Sequence, residues 1–132
     1  MTPDDELLER ARSAANCAYV PYSKFRVGAA VRIGKNIYTG CNIENASYGL
    51  TICAERVAVF TAIAASARVI DAVAVACIDA ADGAATENLM PCGACRQVIA
   101  EFATAIIPFY IDRVGTFTVG DLMPHPFRLT GA

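Results

Sequence analysis

The chain has 132 residues, of which 55% are hydrophobic and 18% charged, and its formal charge is −2. This length suits one domain with its own core, so we expect a single domain over residues 1–132; disordered, collagen-like and disulfide-knot proteins are excluded. No basic run offers a surface for nucleic acid, and no segment reaches the ~20 apolar residues of a membrane span. The acidic N-terminus lacks a secretion signal, so we expect a cytoplasmic protein with six reduced cysteines.

The first half of the chain predicts a helix followed by a β-hairpin. A Thr-Pro pair and three acidic residues favour a helix start, because carboxylates there offset the positive end of the helix dipole. Apolar residues at helical spacing continue to about Tyr19, and Pro21 stops the pattern. The predicted elements are a helix over residues 3–19, strands over 25–33 and 37–43 around a polar turn, and a polar loop over 42–51.

The second half alternates helices with apolar strands. A helix rich in Ala and Val is predicted over 53–67, a strand buried on both faces over 69–78, a loop over 79–90 and a helix over 91–102. Shorter strands are predicted over 106–111, where Pro108 indicates an edge position, and over 117–119. The order αββαβαββ predicts an α/β fold, a three-layer α-β-α sandwich around a mixed sheet of about five strands.

Three cysteines fall into a pattern typical of a metal site. Cys92 and Cys95 form a Cys-x-x-Cys pair at the start of one predicted helix, and Cys53 begins the other. Because each helix runs back antiparallel to its strand, both helix N-termini are expected at the same end of the sheet. Three thiolates there can hold one Zn²⁺ and leave its fourth position to water, as in catalytic zinc sites. Glu55 is then close enough to contact that water without binding the metal.

Other interpretations of this pattern stay open at this point. The Cys-x-x-Cys pair also suits a thioredoxin-like redox pair, or simply two buried thiols. A closed structural zinc site needs a fourth ligand, and the remaining donors are Cys17, Cys41, Cys77 and His125. We predict that these three cysteines are core residues and that His125, between two prolines, lies on the surface.

Four stretches together carry a family resemblance. They are Val20-Pro21-Tyr22-Ser23-Lys24-Phe25-x-Val27-Gly28-Ala29-Ala30, Gly40-Cys41-Asn42-Ile43-Glu44-Asn45, Cys53-Ala54-Glu55-Arg56 and Pro91-Cys92-Gly93-Ala94-Cys95-Arg96-Gln97. Through them the whole chain resembles the small, homotetrameric cytidine deaminases, which are zinc enzymes. Cys rather than His before Ala54 is more similar to the branch that acts on free nucleosides than to the polynucleotide editors. The absence of a basic patch agrees with this.

The resemblance implies a reaction, a cofactor and an assembly. The expected reaction is hydrolysis of free cytidine and deoxycytidine to uridine and deoxyuridine with release of ammonia, in pyrimidine salvage. The preference between the two sugars is left open. The expected cofactor is one Zn²⁺ per subunit, held by Cys53, Cys92 and Cys95, with Glu55 as the catalytic residue. The expected assembly is a homotetramer with active sites shared between subunits.

The resemblance also implies contacts with the substrate. Asn42 and Glu44 are expected to hydrogen-bond the sugar, and their two-residue spacing on a strand end suits a joint contact with its hydroxyls. Phe25 is expected to pack beside the pyrimidine. Tyr48 and Phe127 match aromatic residues that similar tetramers offer across subunit boundaries. For each of the three aromatic side chains, ordinary core packing is the alternative.

In the expected mechanism, three consecutive residues each have a role. Glu55 takes a proton from the attacking water, gives it to N3 of the base and passes another to the departing amine. The small Ala54 leaves backbone groups free to hold the base edge. Three thiolates on Zn²⁺ sum to −1, which makes a bound water less acidic, so we expect Arg56 and the two helix N-termini to withdraw charge from the sulfurs. An ordinary surface arginine is the alternative for Arg56.

Two other functions compete with this one. A deaminase of a modified cytosine nucleoside such as blasticidin S shares the Cys-Ala-Glu and Pro-Cys-Gly-x-Cys-Arg motifs, but Asn42 and Glu44 favour a simple nucleoside. A zinc-stabilised binding domain without activity is disfavoured, because a structural site has no use for the Glu55 carboxylate. Ammonia release from each substrate would separate these functions.

Overall fold

Local signals in the sequence set where the elements begin. The computed structural model describes residues 1–130. At the first helix, Thr2 and Asp5 exchange backbone-to-side-chain hydrogen bonds of 3.1 Å in a capping box, and Pro3 occupies the first turn. In chain order the elements are α1 (Pro3–Ala14), β1 (Val27–Ile33), β2 (Asn36–Cys41), α2 (Ala54–Ala64), β3 (Ala72–Cys77), α3 (Gly93–Phe102), β4 (Pro108–Ile111), β5 (Gly115–Thr118) and α4 (Val119–Leu122).

The strands of residues 1–130 form one mixed, five-stranded sheet in the order β2-β1-β3-β4-β5. The β3–β4 pair is parallel and the other neighbours are antiparallel. Ala72, Ala74 and Ala76 of β3 pack with α1, whereas Val73 and Val75 lie in the cluster that includes α2 and α3. Because alternate residues face opposite layers, the helices cover both faces, and the predicted three-layer α-β-α fold is confirmed.

Two glycines let helix backbones lie directly on the sheet. A Cβ atom on Gly28 of β1 would collide with the carbonyl oxygen of Ala11 in α1. A Cβ atom on Gly40 of β2 would collide with the amide nitrogen of Ala58 in α2. The second contact matters for the site, since it fixes how closely α2 approaches the sheet at the end where the cysteines lie.

Several predicted boundaries need correction. Helix α1 ends at Ala14 and a 3-10 turn follows, because Tyr19 is drawn into a β-bridge with Ile43. Pro108 was predicted at an edge, but β4 lies between β3 and β5. Pro108 is tolerated there because it is the first residue of the strand and pairs only with β5, while pairing with β3 starts at the next residue.

The end of the chain also differs from its prediction. The last strand covers Gly115–Thr118 rather than residues 117–119, and Val119 begins the short helix α4. Thr118 and Asp121 form a second capping box, with hydrogen bonds of 2.9 and 3.0 Å. The Thr-x-x-Asp spacing is the same as at α1, so this helix start was detectable from the sequence.

The three cysteines that are not proposed zinc ligands are less buried than predicted. Cys17 is exposed, because it follows the end of α1, and Cys41 and Cys77 are half-buried at strand ends. The predicted core position is therefore wrong for Cys17, whereas the half-buried Cys77 packs against the main core. His125 is exposed as predicted. Among residues 1–130, no helix combines the length and apolar character that crossing a bilayer requires.

Candidate active site

Two helix N-termini bring three sulfur atoms together. Cys53 and Cys92 are the N-cap residues of α2 and α3, and Cys95 lies in the first turn of α3. The Sγ atoms of Cys53 and Cys92 are 3.8 Å apart, those of Cys92 and Cys95 are 3.5 Å apart, and all three lie within 4.8 Å of one another. Two sulfurs bound to tetrahedral zinc at ~2.3 Å each lie about 3.8 Å apart. The donor set therefore fits Zn²⁺ with one position left for another ligand.

The electrostatics of the three thiols also favour a cation. A hydrogen bond with Cys95 is the main cause that lowers the pKa of Cys53 to about 5, and Arg56 lowers it further against the effect of burial. The same hydrogen bond and burial raise the pKa of Cys95. One thiolate therefore suppresses the ionisation of its neighbour. A bound divalent cation removes this conflict, because each coordinated thiol is deprotonated.

Arg56 contacts the sulfur cluster rather than solvent alone. Its Nη2 atom donates a hydrogen bond to Sγ of Cys53 at 3.4 Å, and this contact is the main cause that raises the pKa of Arg56. Its Nε atom is buried and has no hydrogen-bond partner among the described residues. The structure therefore places a positive charge against the thiolates, in the position that charge withdrawal from the sulfurs requires.

Glu55 is a buried carboxyl group beside the cluster. It lies in the first turn of α2 and is 4% exposed. Burial raises its pKa to about 7, opposed by a hydrogen bond to its own backbone. Near neutral pH such a group both accepts and releases a proton, which is what general acid-base catalysis requires.

A cavity of about 190 Å³ opens onto these groups, and we call it the inner cavity. Its wall includes Cys53, Glu55 and Cys92 together with the predicted substrate residues Phe25, Asn42 and Ala54. A second depression of about 290 Å³, the outer hollow, is lined by Glu44 and Tyr48 among others. Thr51 borders both spaces, so they meet there. The structure thus divides the predicted substrate residues between two adjoining spaces.

Asn42 and Glu44 already hold the segment that carries Phe25. The Asn42 side chain accepts a hydrogen bond from the Val27 amide at 2.9 Å and donates one to the Phe25 carbonyl at 2.8 Å. Oε1 of Glu44 accepts from the Tyr22 and Ser23 amides, each at 3.1 Å. Hydrogen bonding from Ser23 lowers the pKa of Glu44. An amide has two donor hydrogens and a carboxylate two oxygens, so both side chains retain capacity for a ligand.

The two aromatic residues expected at subunit boundaries are exposed. Tyr48 is 87% and Phe127 68% exposed, so neither packs in the core of this chain. The backbone of Phe127 is held by Gln97, whose side chain accepts from its amide at 3.0 Å and donates to its carbonyl at 2.8 Å. Tyr48 borders the outer hollow, whereas Phe127 does not line the inner cavity. Phe25 is half-buried in the cavity wall.

Part of the cavity wall lies outside the sequence motifs. Asn88, Leu89 and Met90 line the inner cavity, although the loop that contains them was given no role. One signal was available, because these residues directly precede Pro91 and Cys92. A segment that ends at a metal ligand is held close to the metal whatever its own sequence.

Known proteins share this combination of fold and site. The family model for the cytidine and deoxycytidylate deaminase zinc-binding region matches residues 1–111. A curated cytidine deaminase from Sporosarcina psychrophila is 44% identical over 129 residues, which cover 93% of this chain and 90% of that protein. One from Mycobacterium tuberculosis is 45% identical over 123 residues, covering 90% and 85%. The chain therefore belongs to the cytidine and deoxycytidylate deaminase family.

Solved structures agree with this assignment. The cytidine deaminase from Burkholderia pseudomallei superimposes with a TM-score of 0.82 at 39% identity, covering 96% of this chain and all of that one. The cytidine deaminase from Mycobacterium tuberculosis gives a TM-score of 0.82 at 38% identity, covering 98% of this chain. Zinc is the cofactor of this family, and the three sulfurs described above form a group able to hold the ion in this chain.

Proposed function

We propose that this protein hydrolyses free cytidine and deoxycytidine to uridine and deoxyuridine, releasing ammonia, in pyrimidine salvage. One observation carries the proposal: a cluster of three sulfur donors, two of which line the inner cavity, lies beside a buried carboxyl group that lines the same cavity and has a pKa of about 7. A purely structural zinc site needs no carboxyl group beside it. The family membership and the cytidine deaminase relatives support the choice of substrate.

The proposed mechanism rests on Glu55. Zinc held by Cys53, Cys92 and Cys95 would supply a water of lowered pKa. Glu55 accepts a proton from the attacking water and delivers it to N3 of the cytosine ring. It then carries a proton to the departing amine, so that one group acts as base and then as acid. A pKa of about 7 makes both transfers accessible at neutral pH.

Substrate binding is proposed to span both spaces. The base enters the inner cavity, where Phe25 packs beside it and backbone groups at Ala54 hold its edge. The sugar extends past Thr51 towards the outer hollow. Asn42 in the inner cavity wall and Glu44 in the outer hollow use their remaining donor and acceptor to bind its hydroxyls. At about 190 Å³ the inner cavity is small compared with the ~300–1,000 Å³ of typical ligand pockets, which supports this division.

We also propose a homotetramer of single-domain chains in the cytoplasm. The exposed rings of Tyr48 and Phe127 support shared active sites, because a neighbouring subunit would cover them. Ile43, Leu50 and Phe60 are exposed along the same side as the outer hollow and border a shallow groove. Sedimentation with and without cytidine tests the assembly, and a monomer with full activity would contradict the shared site.

One assay tests the proposed reaction. Ammonia release is measured with cytidine, deoxycytidine, blasticidin S and no substrate, using protein with one zinc per chain. We expect release from the first two substrates and only background from the others. Release from blasticidin S alone would assign the competing deaminase function. Background release in every sample would leave a zinc-stabilised binding domain and refute the proposal.

A further inference from the structure

The loop over residues 79–90 forms part of the wall of the inner cavity. Asn88, Leu89 and Met90 line the cavity, and Cys92 follows closely. Most residues of this loop are exposed. Leu89 is buried, and Ala80, Ala84 and Met90 pack partly buried against the main core. These contacts and Cys92 hold the far end of the loop, so polar contacts matter most where the loop begins, at Asp79.

Two arginines from other elements supply those contacts. The Asp79 carboxylate accepts three hydrogen bonds from Arg26: one from its backbone amide at 2.8 Å, one from Nε at 2.9 Å and one from Nη2 at 2.8 Å. Arg113 donates to the carbonyls of Ala80 at 3.1 Å and Cys77 at 3.0 Å. Apart from local turns, these two arginines make the hydrogen bonds that join the 79–90 loop to distant segments within residues 1–130.

The Arg26–Asp79 pair links two parts of the same cavity. Arg26 stands between Phe25 and Val27, both of which line the inner cavity, whereas Asp79 begins the loop that carries Asn88 to Met90. The hydrogen bonds from Arg26 lower the pKa of Asp79 to about 2, so the carboxylate is charged at neutral pH. Neither side chain lines the cavity. The pair therefore acts on the substrate space only through the segments it joins.

The geometry points to the Arg26–Asp79 pair as a positioning device that sets the distance between Phe25 and the 79–90 loop, and through it the affinity for the cytosine nucleoside. This inference rests on the proposed function. Because Glu55 and the cysteines belong to helices α2 and α3, loosening the wall weakens substrate binding and leaves the chemical step in place. The signature of this role is a raised KM with a retained kcat.

A second ion pair provides a matched control. Arg12 of α1 binds Asp112 through Nη2 at 2.6 Å and Nε at 3.1 Å, the same two-point geometry as in the first pair. Neither residue lines the inner cavity. Breaking this pair removes a comparable ion pair, while the Asp112 backbone bond to Val75 and the Arg113 contacts with the loop stay available.

The experiment compares Asp79→Ala, Arg26→Gln and the double variant with Asp112→Ala, all loaded with one zinc per chain. For Asp79→Ala we expect KM for cytidine to rise about fivefold, with kcat changed by less than about twofold. The KM of the double variant should not exceed that of the more affected single variant, because each single change already breaks the same ion pair. Asp112→Ala should keep the wild-type KM. Amide hydrogen exchange over residues 79–90 should accelerate in the Asp79 variant and not in the control.

An unchanged KM in Asp79→Ala, or an equal rise in Asp112→Ala, would overturn the inference. So would a fall in kcat with KM retained. If the wild-type protein releases no ammonia from cytidine, the proposed function fails instead. Hydrogen exchange then tests the positioning role by itself. Equal exchange rates over residues 79–90 in Asp79→Ala and Asp112→Ala would refute that role.

Discussion

The sulfur cluster with Glu55, here called the floor, and the outer walls of the two substrate spaces, here called the rim, are held in place by different means. The floor consists of Cys53, Glu55, Cys92 and Cys95, which lie on the first turns of two helices packed against the sheet. The rim consists of Glu44, Tyr48 and the 79–90 loop, which are largely exposed and are positioned by hydrogen bonds. The chemical step therefore depends on short motifs on rigid elements. Substrate affinity depends instead on contacts between segments that are far apart in the sequence.

Removing a sulfur from the floor should have the largest effect. Cys92→Ala leaves two thiols, too few for a stable zinc site, so we expect loss of zinc and of turnover to background, with a lower Tm. Zinc content by atomic absorption and ammonia release check this. Cys17→Ala removes an exposed thiol outside the cluster and should keep one zinc and full activity. A Cys92→Ala protein with one zinc per chain would contradict the ligand assignment.

At the rim, Glu44 should affect substrate binding rather than chemistry. Glu44→Gln keeps an oxygen for the Tyr22 and Ser23 amides but loses the charge, so KM should rise about tenfold with kcat retained. Glu44→Ala also leaves those amides without their partner, and we expect a greater rise in KM. Steady-state kinetics with cytidine measure both. If the Gln variant kept the wild-type KM while the Ala variant did not, Glu44 would support the turn and not the sugar.

Cys77, in the wall between floor and rim, should give a smaller effect that depends on pH. Burial raises its pKa from 9.0 to about 11. The thiol therefore ionises at a lower pH in the unfolded chain than in the folded chain. As a result, the free energy of unfolding falls as pH rises from 9 towards 11. Cys77→Ala should reduce that fall in Tm by about 3 °C, measured by scanning calorimetry. The control is Cys17→Ala, which removes an exposed thiol. An equal fall in Tm with rising pH in both variants would contradict the role of Cys77.

The floor could be predicted from the sequence because its signals are local. Cys-Ala-Glu and Pro-Cys-x-x-Cys are short motifs whose first cysteines take the N-cap positions of α2 and α3. The structure then brings the three sulfurs within coordination distance. The apolar run over residues 69–78, interrupted only at Asp71, likewise predicted a strand buried on both faces.

The rim could not be predicted in the same way, because its contacts are long-range. Nothing in the sequence near Asp79 indicates Arg26, which lies 53 positions away. The burial of Cys17 was predicted wrongly because it depended on where α1 ends, and a bridge between Tyr19 and Ile43 decides that. The edge position of Pro108 failed for a similar reason, since strand order is set by the whole sheet.

The most direct test of the central claim is turnover of cytidine by Glu55→Gln at equal zinc content. The variant keeps the size of the side chain and removes its ability to exchange a proton. We predict that it folds, holds one zinc per chain and loses activity by a factor of about 10³ or more. Wild-type kcat in a zinc-loaded Glu55→Gln protein would contradict the account of this site.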